Sequence, residues 1–215
     1  MDFLQNIDIT QTLAMILALI IAIVGHEIMH GLVAYLYGDS TAKSQNRLSP
    51  NPIRHVDLVG SIIVPALLYI SKAGFLFGWA KPVPVYMPTV IANGGYFGAI
   101  AVSLAGIFYN FFLAIVSAIL LHVIPLSPDD FLVLFLFYCI SINVVLGFFN
   151  LLPIPPLDGF NALGFLLAWM GFEKFTQRLF LLSKYGMIIL ILIIATPVSD
   201  YIFAPINYIM HLLLM

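Results

Sequence analysis

From Gln11 to Tyr37 the chain is apolar almost without a break, and the only acidic, basic or imidazole side chains in that stretch are His26, Glu27 and His30. A run of this length and character has few structures open to it. In hydrocarbon every backbone polar group must be satisfied within the segment, which makes it a helix. On a helix, positions i and i+4 share a face, so His26 and His30 both reach a single ion. A charged side chain at such depth costs roughly 2.5–3.5 kcal/mol on insertion scales, so these groups need a bound or paired partner. Glu27 lies beside them, where a carboxylate can take a proton from a water polarised by that ion. The plainer reading is two satisfied core histidines and an incidental glutamate. It leaves three polar groups in one apolar turn to find separate partners.

Composition agrees with a membrane setting. Hydrophobic residues make up 62% of the 215 positions and charged residues 8%, against about 25% charged in a soluble domain, so this sequence cannot make a water-facing surface. The expected fold class is therefore an all-α polytopic membrane protein in the lipid bilayer, with no nucleic-acid partner. One cysteine, Cys139, rules out an intramolecular disulfide and a cysteine-type structural zinc site.

The eight basic residues fall in two stretches, 38–95 and 159–184, whereas Asp2, Asp8, Asp129 and Asp130 occupy other connections. The positive-inside rule puts both basic stretches in the cytoplasm and the N-terminus outside, in a cell membrane. Three segments are long enough to span: 11–37, 96–124 and 131–153. They form the expected three-helix core of a single integral-membrane domain, 1–215. The region 58–95 is expected to be re-entrant, because its apolar run 58–70 covers roughly 20 Å of helix, less than a bilayer's 30 Å or so. Within it, Gly78-Trp79-Ala80-Lys81-Pro82-Val83-Pro84-Val85 is held extended by its prolines. Asn93-Gly94-Gly95 supplies a turn signal, so a hairpin-like element is expected around 75–95. Residues 159–215 supply further membrane segments: an interfacial helix over 172–184, then pieces divided by Pro197 and Asp200.

A catalytic metal site usually takes three protein ligands and leaves a position open. Candidates for the third are His55, His122, His211 and Asp158, of which Asp158 is the strongest. The break made by Pro153, Pro155 and Pro156 can carry the chain back toward the depth of His26 and His30. The plainer reading of Asp158 is a helix N-cap.

His26-Glu27-x-x-His30, Asn150-x-x-Pro153 followed by Leu157-Asp158-Gly159, and the Gly78–Val85 stretch together resemble the site-2 proteases, the intramembrane zinc metalloproteases of regulated intramembrane proteolysis. The resemblance covers about residues 11–170. Lacking a PDZ-like insertion or a CBS-like extension, the chain is similar to compact prokaryotic members. The resemblance implies one zinc ion bound by His26, His30 and Asp158, with Glu27 as general base and a site open to the cytoplasm. The implied substrates are single-span membrane proteins that unwind locally. It also implies that Asn150 and Asn110 contact substrate, although Ile107 stands where the family's Gly-x-x-x-Asn pattern usually has proline; the plainer reading of either asparagine is an interhelical hydrogen bond that holds helices together. His55 and Asp57 look family-like too, with no chemistry assigned. Asn143 has no motif behind it and is expected to be structural. A strand-like Trp79–Met87 is expected to hold the unwound substrate by backbone pairing. Two rivals come from other classes: a membrane zinc-binding or transport protein, and a catalytically inactive homologue that only binds helices. The first predicts a polar path to the outer side, where the core spans are almost wholly apolar; the second is disfavoured by the intact His26, Glu27, His30 and Asp158.

Overall fold

The computed structural model describes residues 8–72, 77–125, 127 and 130–214. The chain is an all-α polytopic membrane protein. Among the described residues four helical runs are long and apolar enough to cross a bilayer: Ile9–Leu36 (α1), Met87–Val123, Phe131–Leu151 and Glu173–Ile194. Two short helices, Thr41–Ser44 (α2) and Val64–Ile70 (α3), follow α1. Next come the long helices α4 (Met87–Val123) and α5 (Phe131–Leu151), then α6 (Asp158–Trp169), α7 (Glu173–Phe180), α8 (Gly186–Ile194) and α9 (Val198–Leu214).

α1 starts where the Asp8 carboxylate accepts from the backbone N–H groups of Thr10 and Gln11. Its inward face is a stripe of residues spaced four apart: Ala14, Ala18 and Ala22, then His26 and His30, then Ala34. Small residues on this stripe let the backbones of α4 and α5 approach closely, as membrane helix packing requires. The same stripe delivers both histidines to the interface. The opposite face presents Leu13, Ile16 and Leu17 outward, and α4 does likewise with Phe108, Phe112, Ile115 and Ile119. This apolar exterior suits lipid. α1 ends in a Schellman turn, in which Gly38 takes φ 86° and Gly38 N and Asp39 N bond the carbonyls of Tyr35 and Ala34.

One sequence expectation needs correction. The hairpin-like element around 75–95 is extended only over the described residues 77–86; from Met87 onward the chain is already α4, and there is no strand among the described residues. The Asn93-Gly94-Gly95 turn reduces to a single break inside that helix, where Gly95 adopts φ 60°, ψ −163°. This region is essentially reserved for glycine. Packing therefore overrides the local turn signal, and the 96–124 span is the longer limb of α4 beyond Gly95. Residues 172–184 hold α7 and most of the 3₁₀ turn that follows it. α7 continues through a 3₁₀ turn, Leu181–Tyr185, into α8 as one run. Pro197 separates α8 from α9 as expected.

The segment 58–70 is helical throughout. A π-helical turn, Leu58–Ile63, leads into α3, and at 13 residues with an apolar surface it is too short to span.

Candidate metal centre

α5 ends at Leu151, and the proline-rich stretch after it turns sharply, with Leu157 N bonded to Ile154 O. Asp158 is then the first residue of α6, with Leu157 at the cap position, so the N-cap reading of Asp158 does not apply. Gly159 makes this possible, because a Cβ there would lie 2.1 Å from Leu151 O. The turn brings an Asp158 carboxylate oxygen to 3.0 Å from His26 Nε2 and 3.2 Å from His30 Nε2. The two Nε2 atoms lie 3.1 Å apart. His26, His30 and Asp158 are the group among the described residues whose ligand atoms converge as a metal site requires. The other histidines lie elsewhere: His55 Nε2 bonds Ser49 O, His122 Nδ1 bonds Ala118 O, and His211 is near the end of α9.

The chemistry of this donor set fits a cation. His30 Nδ1 lies 2.7 Å from Val102 O, an atom that can only accept, so Nδ1 carries the proton. His26 Nδ1 lies 2.6 Å from Asn110 Oδ1, again an acceptor, because the Asn110 amide nitrogen donates to Ala22 O and Asn143 Oδ1. In the neutral imidazoles both Nε2 atoms therefore offer lone pairs, aimed at each other and at a carboxylate. Three acceptors at 3 Å repel unless a cation sits among them. Gly106 provides the room: a Cβ at that position would fall 2.5 Å from the His26 ring.

Glu27, half-buried on the next position of α1, accepts from Val83 N–H at 2.7 Å. Val83 belongs to the extended segment, which is pinned along one edge at alternate residues. Trp79 N donates to Gly60 O, and Lys81 N to His55 O. Ser61 Oγ donates to Trp79 O, and Arg47 Nη2 to Lys81 O. Tyr86 N donates to Asp39 Oδ2 at 2.7 Å. Burial works to raise the Asp39 carboxyl, but hydrogen bonds from Thr41 and Tyr86 outweigh it and hold the group below its usual range. His55 and Asp57 thereby acquire structural tasks: the His55 carbonyl receives the extended segment, and Asp57 caps the π-helical turn through Gly60 N.

The two asparagines read as substrate contacts are placed differently. Asn150 is half-buried near the end of α5, where its amide nitrogen bonds its own helix at Leu146 O. Asn110 is 0% exposed and sits behind His26, so the expected direct substrate contact does not describe its position. Asn143, expected to be merely structural, lies next to Asn110 and is also 0% exposed. One sequence signal was available for it: an amide on the inward face of an otherwise apolar helix needs a partner.

This fold, with these converging ligands and an adjacent carboxylate, defines a membrane-embedded metallopeptidase. The family profile of Peptidase family M50 matches residues 126–194, which include Asp158. The chain is 36% identical over 203 residues to the Bacillus subtilis (strain 168) protein named "Putative zinc metalloprotease YwhC", covering 89% of this chain and 84% of that protein. It belongs to peptidase family M50, the site-2 proteases. No solved structure matches it.

Proposed function

We propose that the chain is an intramembrane zinc metalloprotease in which His26, His30 and Asp158 hold one zinc ion and Glu27 is the general base. The observation that carries this reading is the convergence of two Nε2 atoms and a carboxylate oxygen beside a second carboxylate. Zinc in such a site polarises the scissile carbonyl and brings the pKa of water toward about 7. Glu27 accepts the proton of the attacking water and passes it to the leaving amine. Val83 N–H fixes the Glu27 carboxylate in the meantime.

The substrates are single-span membrane proteins. A transmembrane helix hides its carbonyls in internal hydrogen bonds, so the substrate unwinds locally before attack. The extended segment beside Glu27 is the natural place for the unwound strand to be held. Asn150 lies at the same end of α5 as the turn to Asp158, which supports a role in substrate contact. The charge distribution supports an N-terminus outside and a site open to the cytoplasm, as regulated intramembrane proteolysis requires.

The test is cleavage of single-span substrates by purified protein in detergent, comparing the wild type with Glu27→Gln. The expected result is about one zinc per chain in both proteins, with cleavage lowered at least about 10²-fold in the variant, the lower end of general-base contributions. Undiminished cleavage by Glu27→Gln contradicts the mechanism.

A further inference from the structure

His26 is oriented from outside the metal centre, through a chain of amides that crosses three helices. Its Nδ1 donates to Asn110 Oδ1 on α4 at 2.6 Å. An asparagine amide can present either its oxygen or its nitrogen, so something must decide which end faces His26. The Asn110 nitrogen donates to Ala22 O at 3.3 Å and, by a shorter bond, to Asn143 Oδ1 on α5 at 2.7 Å. Asn143 faces the same ambiguity. It is resolved where the Asn143 nitrogen donates to Cys139 O at 2.8 Å, one turn back on its own helix. A backbone carbonyl can only accept. Polarity therefore runs one way: Cys139 O takes the Asn143 nitrogen, which turns the Asn143 oxygen to Asn110. That turns the Asn110 oxygen to His26, places the proton on Nδ1 and leaves the Nε2 lone pair facing Asp158. Both asparagines are 0% exposed, so the chain is shielded from bulk solvent.

We propose that Asn143 is a positioning residue for the metal centre, acting through Asn110 to set the tautomer and direction of His26. The proposal rests on the reading of His26 as a metal ligand. Outer partners of ligating histidines are typically worth 10–100-fold in metal affinity.

The test is zinc affinity by chelator competition on purified full-length protein, which requires no substrate. Asn143→Leu is expected to weaken zinc binding 10–100-fold. Asn110→Asp presents an acceptor oxygen to His26 whichever way it turns, yet sets that carboxylate against Asn143 Oδ1. The double variant Asn110→Asp/Asn143→Leu is therefore expected to bind zinc more tightly than Asn143→Leu alone, a rescue that loss of packing does not produce. A second readout covers the case in which Asn143→Leu does not fold: nitrogen NMR of the zinc-loaded wild type. A slowly exchanging proton on His26 Nδ1 is expected; a proton on Nε2 overturns the proposal. Unchanged zinc affinity in folded Asn143→Leu, or a double variant as weak as Asn143→Leu, also overturns it. A wild type that takes up no zinc instead overturns the metal-centre reading itself.

Discussion

Gly106 and Asp39 show how single residues that supply no ligand or proton constrain the chemistry. Gly106 leaves the His26 ring its place, and a Cβ there would fall 2.5 Å from ring Cε1. The ring is held at Nδ1 by Asn110, which limits where it can retreat. Gly106→Ala is expected to lower zinc affinity by roughly 10–100-fold, with a smaller effect on thermal stability, measured as chelator competition and Tm on the same preparation. Asp39 ties the end of α1 to the extended segment, and its hydrogen bonds hold its pKa below the unfolded value of about 3.9. Its contribution is therefore complete above that pH and is lost as pH falls through the lowered folded value. Asp39→Asn is expected to destabilise the protein by about 1–2 kcal/mol at neutral pH. The difference from wild type should stay constant between about pH 7 and pH 5 and shrink below about pH 4. Denaturant titration across that range checks the sign.

At the scale of elements, the extended segment 77–86 behaves as a strand with one edge already used. The backbone donors of Trp79, Lys81 and Val83 are engaged by the protein, while Pro82 and Pro84 have none to offer on the alternate edge. Val83→Pro removes the N–H that donates to Glu27. It is expected to reduce cleavage at least about tenfold, the effect of losing roughly 1.5–3 kcal/mol of a hydrogen bond to a charged group, while leaving zinc content unchanged. Comparing zinc content with turnover checks it. The sequence announced this element through its prolines but misplaced its end, because Asn93-Gly94-Gly95 resembles a turn in isolation. In the folded chain only Gly95 departs from helical geometry, and α4 resumes beyond it.

Across the whole molecule, what was legible was whatever leaves a side-chain signature. The 26–30 box, the long apolar runs and the proline break before Asp158 each state a physical demand that one helix or turn can meet. What was not legible depends on contacts between distant segments. Val83 acts through a backbone N–H, which has no sequence signature, and lies 56 positions from Glu27. Asn143 meets Asn110 across 33 positions, and Asn110 meets His26 across 84. Asn110 consequently read as a substrate contact when its position is behind a histidine. The small-residue stripe of α1 links the two levels, since the same four-residue spacing that packs the helix also places both histidines at the interface. The measurement that tests the account most directly is X-ray absorption at the zinc edge of the purified protein. The account predicts two imidazole nitrogens at about 2.0–2.1 Å and carboxylate oxygen at about 2.0–2.2 Å, with one imidazole lost in His30→Ala. A sulfur shell near 2.3 Å, or a spectrum unchanged by His30→Ala, would contradict it.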